Sequence, residues 1–168
     1  MRKMILLCGI AGSGKTTYVR ELLRVNNGLY RISRDYLRRQ LFSPRGWTPT
    51  AESVVRAVKR VAIHNILASG RSVVVDEVHN TRSRRAETIA VADDISGVKI
   101  ECHWLDTSLS VCRRRNRERK EQDQVPDYVV RQQHDEFEPP RPRIEGFKVV
   151  KVSAKHRPEK KNREESLV

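Results

Sequence analysis

One glycine-rich stretch constrains the fold of this chain more than any other. It is Gly9-Ile10-Ala11-Gly12-Ser13-Gly14-Lys15-Thr16. An apolar run at residues 4–8 precedes it, and Tyr18, Leu22 and Val25 follow it at helical spacing. Strand, loop and helix in this order direct backbone N–H groups and the positive end of a helix dipole at one anion. The stretch therefore predicts a phosphate-binding loop, the alternative being a plain turn between a strand and a helix.

The side chains of this loop complete a predicted nucleotide site. Gly9 and Gly14 bracket a tight backbone fold, Lys15 supplies a cation for the β and γ phosphates, and the Thr16 hydroxyl is placed to ligate Mg²⁺. We therefore expect ATP or GTP to bind here together with Mg²⁺. The residues expected to contact the nucleotide are Gly9, Gly12, Ser13, Gly14, Lys15, Thr16 and Thr17.

The composition favours one domain with an anionic partner. A chain of 168 residues is the length of one ordinary domain. Its 34 Lys and Arg against 21 Asp and Glu give a formal charge of +13, which favours a partner such as nucleic acid beyond the nucleotide. A basic solubilising surface would have the same composition. With four Tyr, three Phe and two Trp, an extended platform for stacking single strands is not expected.

The sequence carries no targeting signal that we recognise. The three cysteines, Cys8, Cys102 and Cys112, are an odd number without CxxC spacing, which favours reduced thiols. No stretch approaches the roughly 20 apolar residues of a membrane span, and Met1-Arg2-Lys3 leads directly into the first predicted strand. We therefore expect a cytoplasmic protein.

Carboxylates follow two further predicted strands. Asp35 comes after the strand at residues 29–33, and Asp76 and Glu77 come after the β-branched strand at residues 72–75. In a parallel sheet these strand ends meet at the edge where ligands bind. Asp35 is thus placed to meet a second substrate, or merely to favour the first turn of the next helix. Asp76 is expected to help hold Mg²⁺, as carboxylates do at this place in phosphate-loop enzymes.

A long helix is predicted at residues 51–69, after a loop at residues 43–49. Thr50 is its expected N-cap, and His64, which has no evident partner in the sequence, is expected to be structural or exposed. The apolar stripe of this helix, which we expect to face the core, consists of Val54, Val58, Val61, Ala62 and Ile66.

A predicted helix at residues 109–120 carries the densest positive charge. Spacing of four places Arg115 with Arg119 on one face and Arg113 with Arg117 on another. One such face suits a lid, because the planar guanidinium group binds phosphate oxygens as charge spreads onto them during transfer. A solvated helix is the alternative.

Three arginines lie around the start of another helix, which is predicted at residues 83–94. They are Arg82, Arg84 and Arg85, and they are expected to face either an anionic partner or solvent.

Strands that alternate with helices predict an α/β domain with a mainly parallel sheet of about five strands. We expect this domain to occupy residues 1–153. Residues 154–168 are polar and charged without apolar periodicity, and we expect them to form a disordered tail.

Several short pieces of the sequence occur together in one known family. They are the glycine loop with Thr17; Ile32-Ser33-Arg34-Asp35 followed by Arg38; Val74-Val75-Asp76; Arg115-Asn116 with Arg119; Val125-Pro126; and Phe137 with Pro139 and Glu145-Gly146-Phe147. With these pieces, most of residues 4–152 resembles the polynucleotide 5′-hydroxyl kinases of nucleic-acid end repair. That family includes phage end-healing enzymes and the kinase domain of the bifunctional kinase/phosphatase.

The resemblance implies an adenylate-kinase-like, doubly wound phosphate-loop fold with an arginine lid. It implies transfer of the γ-phosphate of ATP, with Mg²⁺, to the 5′-hydroxyl end of DNA or RNA. In that reaction Asp35 is the general base, Arg38 contacts the phosphate next to the acceptor nucleotide, and Arg115 and Arg119 hold the ATP phosphates. The expected catalytic residues are Lys15, Asp35 and Arg115, and the expected acceptor contacts are Asp35, Arg38, Asp76 and Glu77.

The chain departs from the family in two places. Related kinases often have a Thr-Asn pair after the second aspartate, whereas this chain has Glu77-Val78-His79-Asn80, so either Asp76 or Glu77 is expected at the acceptor. The chain is too short for the phosphatase domain of the bifunctional enzymes, which predicts a stand-alone kinase or an excised kinase domain. Two other functions fit the same residues: a small-molecule kinase for a sugar, antibiotic or nucleoside, and a nucleotide-gated nucleic-acid-binding module with little turnover.

Overall fold

A five-stranded parallel sheet forms the centre of the computed structural model, which describes residues 1–42 and 48–152. In chain order the strands are β1 (Lys3–Cys8), β2 (Leu29–Ile32), β3 (Ser72–Val75), β4 (Lys99–Leu105) and β5 (Lys148–Val152). Side by side they lie in the order β2-β3-β1-β4-β5, and each neighbouring pair is parallel. The predicted α/β class with five strands is confirmed.

Helices connect the strands and cover both faces of the sheet, which confirms the predicted doubly wound architecture. The α-helices of the described residues are α1 (Lys15–Val25), α2 (Arg34–Leu41), α3 (Pro49–Ala68), α4 (Arg82–Ile89), α5 (Leu109–Arg117), α6 (Asp127–Asp135) and α7 (Pro142–Glu145). None of the helices in these two ranges is long and apolar enough to cross a membrane.

The core lies on both sides of the sheet, because successive strand residues point to opposite faces. On one face, Ile5 and Leu7 of β1 pack with Val19 of α1. On the other face, Met4 and Leu6 pack with residues of α3. The three cysteines are free and buried, as expected for reduced core thiols. Strand β1 is therefore held from both sides, and it fixes the position of the glycine loop that follows it.

The buried face of α3 differs from the predicted one. Val54, Val58 and Val61 are 43%, 36% and 61% exposed, so most of the predicted apolar stripe faces solvent. The residues that α3 buries are instead Ala51, Val55, Lys59, Ile63 and Leu67. This second series has the same spacing of four. It was not predicted as the buried face because it contains a charged residue, Lys59. Lys59 is buried because it pairs with Glu77 beside the end of β3.

Several predicted boundaries also shift. The N-cap of α3 is Thr48, whose Oγ1 accepts a hydrogen bond from the Ala51 N–H at 3.0 Å, so the prediction of Thr50 was wrong. Pro49 occupies the first helical position, where its missing N–H costs nothing. Helix α5 ends at Arg117 rather than at residue 120. Most of the predicted loop at 43–49, and the predicted tail at 154–168, lie outside the described residues.

Candidate active site

The parallel strands bring the predicted site residues to one edge of the sheet. Gly9 follows β1, Asp35 lies in the first turn of α2 just after β2, and Asp76 follows β3 directly. These three strands are neighbours in the sheet, so their carboxyl ends open onto one cleft. The glycine loop and both carboxylates were separated in sequence by up to 67 positions, and the fold gathers them.

Three glycines give the loop its shape through backbone angles that other residues rarely adopt. Gly9, Gly12 and Gly14 have φ angles of 152°, 82° and 104°. Gly14 is the N-cap of α1, so the loop turns directly into the helix. The first N–H groups of a helix have no partner within it, so an anion is expected at the start of α1, beside the loop.

Gly12 also lies against the helix that follows β4. A Cβ atom at Gly12 would lie 2.2 Å from the carbonyl oxygen of Cys112 in α5, well inside contact distance. Only a residue without a side chain allows the loop and α5 to come this close. The loop is fixed from a second direction by Gln133 of α6, whose Oε1 accepts a hydrogen bond from the Ala11 N–H at 2.8 Å. Gln133 was not predicted, because a polar residue on a helix surface has no distinguishing pattern.

Lys15 is folded back onto its own loop. Its Nζ donates to the carbonyl oxygens of Gly9 and Ile10 at 2.7 and 2.8 Å. Burial lowers the pKa of Lys15 to about 8, against the opposing effect of the negative charge of Asp76. The ammonium group is thus largely charged at neutral pH and lies beside the loop. A nucleotide phosphate would strengthen its charged form.

Asp76 and Glu77 point to different partners. Asp76 is buried, and its Oδ2 accepts from Nη2 and Nε of Arg31 at 2.5 and 3.1 Å, while Oδ1 has no hydrogen-bond donor within residues 1–42 and 48–152. Glu77 forms a buried ion pair with Lys59 of α3 at 3.2 Å. Asp76 and Glu77 were both expected near the acceptor. Of the two, Glu77 is the one that is paired with a buried lysine, Lys59.

Asp35 lies in the first turn of α2 with an exposed carboxylate, and it contacts Arg38 one turn later. Nη1 of Arg38 donates to Oδ1 of Asp35 at 2.6 Å. Nε and Nη2 of the same guanidinium group donate to the carboxylate of Glu52 at 2.8 to 3.1 Å. Burial alone would lower the pKa of Arg38, but its hydrogen bonds to Glu52 and Asp35 outweigh that effect and raise it. Arg38 therefore remains charged and is held between the two acids.

Glu52 is a functional candidate that sequence reasoning missed. It lies in the first turn of α3, where an acid is expected merely to favour the helix dipole. The signal that could have found it is the pairing of a lone acid at the start of one helix with the arginines of the helix before it. No spacing rule connects residues 38 and 52, because they belong to two different helices, α2 and α3.

Helix α5 presents its arginines in two directions, as their spacing predicted. Nη1 of Arg115 lies 3.5 Å from the carbonyl oxygen of Ser13 in the loop. Arg119 lies just beyond the helix, and its charge contributes to lowering the pKa of Lys15. Arg113 turns the other way and binds Asp127 of α6 at 2.6 and 2.9 Å. Arg115 and Arg119 are therefore the arginines near the loop, and their contact with a nucleotide remains a prediction.

Arg85 has a structural role that the sequence did not indicate. It was expected to face an anion or solvent, but its side chain is fully buried and binds Glu145 of α7 through Nε and Nη2 at 2.7 and 2.9 Å. It also donates to the carbonyl oxygen of His79 at 3.1 Å. Burial lowers the pKa of His79 to about 3, so this histidine is neutral. His64, which had no evident partner, binds Asp94 at 3.0 Å.

Comparisons with known proteins agree on the fold. A family described as an AAA domain matches residues 4–140. A chain of the Pnkp1/Rnl/Hen1 RNA repair complex is similar with a TM-score of 0.72 and 20% identity, over 80% of this chain and 43% of that one. A gluconokinase from Sinorhizobium meliloti is similar with a TM-score of 0.57 and 23% identity, over 90% and 83%. Chaetomium thermophilum Kti12 in complex with ADP-AlF3 is similar with a TM-score of 0.67 and 18% identity, over 90% and 89%.

The coverage differs between these structures. The chain spans less than half the length of the chain it matches in the RNA repair complex, but more than four fifths of the gluconokinase and of Kti12. At identities below 25% these similarities establish the fold alone. The choice of acceptor has to be argued from the side chains of the cleft.

Proposed function

Because the chain belongs to the AAA domain family, which it matches over residues 4–140, we propose that it is a kinase acting on the 5′-hydroxyl ends of nucleic acids. The observation that carries this proposal is the 2.6 Å contact between Asp35 and Arg38 at the edge of the sheet that bears the glycine loop. A carboxylate beside an arginine suits an acceptor that has a phosphate close to its reacting hydroxyl. A polynucleotide end is such an acceptor.

The donor is ATP in this proposal, held by the loop and the arginines beside it. Backbone N–H groups of the loop and of the first turn of α1 bind the phosphates, with Gly9, Gly12, Ser13, Gly14 and Thr17 as the contacting residues; the Ser13 N–H, which donates to the carbonyl oxygen of Ile10 at 3.2 Å, would exchange that partner for a phosphate oxygen. Lys15 leaves the carbonyl oxygens of Gly9 and Ile10 for the β and γ phosphates. Arg115 and Arg119 bind oxygens of the γ-phosphate as its charge increases during transfer.

The acceptor enters from the side of α2. Asp35 accepts the proton of the 5′-hydroxyl while that oxygen attacks the γ-phosphorus, and the bond from phosphorus to the bridging oxygen breaks so that ADP leaves. Arg38 binds the phosphate next to the acceptor nucleotide and thereby fixes the distance between the hydroxyl and Asp35. Positioning of this kind, together with charge stabilisation, supplies most of the catalysis in phosphoryl transfer.

Magnesium fits the residues of the cleft. Thr16 offers an exposed hydroxyl at the start of α1, and the Oδ1 atom of Asp76 accepts no hydrogen bond within the described part of the chain. Thr16 would ligate the ion directly, and Asp76 would hold it through a bound water. The described residues contain no group of three or more acids, histidines or cysteines that could hold a metal ion. When bound, Mg²⁺ neutralises charge on the β and γ phosphates.

The first experiment is transfer of labelled γ-phosphate from ATP, with Mg²⁺, to matched 5′-hydroxyl DNA and RNA oligonucleotides. We expect label on both 5′-hydroxyl copies or on one of them, and none on 5′-phosphorylated controls. Asp35→Ala should abolish transfer while ATP still binds, and Asp93→Ala, which removes another exposed carboxylate, should not. Activity retained by Asp35→Ala contradicts the proposed base. Nucleotide-dependent oligonucleotide binding without any label indicates a binding module instead.

A small-molecule kinase is the second candidate, because the same fold, over 83% of its chain, occurs in a gluconokinase. The two functions differ in their salt dependence. A polynucleotide binds through several phosphates, so its KM should rise steeply with salt, whereas the KM of a neutral sugar should not. Transfer to gluconate or a nucleoside without transfer to any oligonucleotide would establish this second function.

A further inference from the structure

Arg34 is the least satisfied cation at the acceptor edge. Its Nε is buried and makes no hydrogen bond within residues 1–42 and 48–152. The nearest carboxylate oxygen, Oε1 of Glu52, lies 3.4 Å away, and both oxygens of Glu52 already accept from Arg38. The Arg34 side chain is 30% exposed, and its Nη atoms donate no hydrogen bond within the described residues, so these atoms can bind an additional anion.

Two more arginines continue from this point along α3. Arg56 lies one turn after Glu52 and Arg60 one turn further, so spacing of four keeps them on the same side of the helix. Both are exposed, and neither has a carboxylate partner among the described residues. Arg56 lines an open cavity of about 290 Å³ together with Pro49, Glu52 and Ser53. The guanidinium groups of Arg34, Arg56 and Arg60 thus extend away from the contact between Arg38 and Glu52.

We propose that Arg34, Arg56 and Arg60 form a phosphate-binding track for the acceptor strand, on the 3′ side of the reacting nucleotide. The inference rests on the proposed function, since it extends the acceptor beyond the phosphate at Arg38. Four guanidinium groups, those of the track and Arg38, face two carboxylates, Asp35 and Glu52. The surface is therefore net positive and suits a polyanion.

The length of the track sets how many nucleotides it can bind. From Glu52 to Arg60 the helix advances about 12 Å, which has room for roughly two or three phosphates of one strand. Beyond Arg60 the surface becomes acidic, because Arg60 lines a second cavity with Asp93 and Asp94. The favourable contacts end there. Acceptor affinity should rise with length up to about four nucleotides and then level off.

The test compares a short and a long acceptor in the same variants. We would measure kcat/KM for a nucleoside 3′-phosphate, which reaches only Arg38, and for a 5′-hydroxyl octanucleotide. In Arg56→Ala/Arg60→Ala the ratio of octanucleotide to nucleoside 3′-phosphate should fall about tenfold, and the slope of log KM against log salt should decrease by about 1.4. For Arg34→Ala, the ratio of kcat/KM for a 5′-hydroxyl dinucleotide to that for the nucleoside 3′-phosphate should also fall, because Arg34 is the first residue of the track.

The matched control is Arg20→Ala/Arg71→Ala, which removes two exposed arginines from α1 and from the residue before β3. A ratio in the track variant equal to that in the control overturns the track. If the wild-type protein labels neither acceptor, the proposed function itself fails. The track is then judged by anisotropy of a fluorescent 5′-hydroxyl octanucleotide: weaker binding only in the track variant supports it, and equal binding in both variants overturns it.

Discussion

Arg38 is held by Glu52 through two nitrogens, with Nε and Nη2 at 3.0 and 2.8 Å from Oε2. This bond joins α2 to α3 across the part of the chain that connects them. It leaves Nη1 directed at Asp35 and fixes the guanidinium plane. The geometry of the proposed base therefore depends on an acid that takes no part in the chemistry.

Glu52→Gln should separate this positioning role from nucleotide binding. The neutral amide can accept from Arg38 with one oxygen only, so Arg38 loses its fixed orientation. We expect kcat/KM for an oligonucleotide acceptor to fall about tenfold to a hundredfold, since small displacements of reacting groups have effects of this size. The Kd for ATP should not change. Glu21→Gln, which alters an exposed acid paired with Arg24, is the control, and an equal effect of both changes would contradict the role of Glu52.

The pKa of Lys15 predicts opposite effects of pH on binding and on stability. Its value of about 8 lies below the usual 10.5, so the folded protein loses this proton more readily than the unfolded chain. ATP affinity should fall as pH rises above about 8, because the cation is lost. Between about pH 8 and 10.5 the stability of the free protein should rise with pH, because the unfolded chain then binds more protons than the folded protein and the cost of burying a charged Lys15 disappears.

Binding of ATP followed by calorimetry, and urea unfolding without nucleotide, would measure these two effects from pH 7 to 10. Lys15→Met removes the titrating group and should abolish both of them. A variant that keeps the pH dependence of the wild-type protein would assign it to another group.

Gly12→Ala tests the contact between the loop and α5. The new Cβ would lie 2.2 Å from the carbonyl oxygen of Cys112, at a backbone φ of 82°. We expect a loss of about 2–4 kcal/mol in the free energy of unfolding, from strain and overpacking together. Gly70→Ala is a matched control, because Gly70 has a φ of 80° but no atom within 4 Å of the new Cβ. If both variants lose the same stability in urea unfolding, the contact with α5 has no energetic importance.

Arg85→Met should be strongly destabilising, because it leaves the carboxylate of Glu145 buried without its partner. Removal of one member of a buried ion pair typically costs about 3–5 kcal/mol. Chemical unfolding of Arg85→Met/Glu145→Gln should recover part of that loss. Arg113→Met breaks a solvent-exposed pair with Asp127 and should cost far less stability than Arg85→Met. A similar cost for both single variants would contradict the structural importance of Arg85.

Local patterns predicted the strands and the loop well, because each of these elements is specified by adjacent residues. The apolar runs at the first and third strands and the three glycines required no distant information. Helix α3 shows the limit. Its two possible apolar faces differ by one residue in phase, and the choice depends on whether Lys59 finds Glu77 in the folded chain.

The candidate site was predictable where a residue sits beside a strand end and unpredictable where distant helices meet. Asp35 and Asp76 lie at the expected edge of the sheet. Glu52, Gln133 and Arg85 were missed as functional or structural contacts, because their partners are between 14 and 122 positions away. Contacts between residues so far apart in the chain follow no regular spacing, so they cannot be predicted from local sequence patterns.

The contact between Gly12 and Cys112 limits how the arginine helix can move. Two backbones that meet without a side chain between them leave no room to slide, so the first turn of α5 is anchored to the phosphate loop. In the proposed function, closure of Arg115 and Arg119 on a nucleotide therefore has to come from their own side chains and from the segment that follows α5. The phosphate loop and the start of α5 would then stay together as one unit, and only the arginine side chains and the segment that carries Arg119 would move.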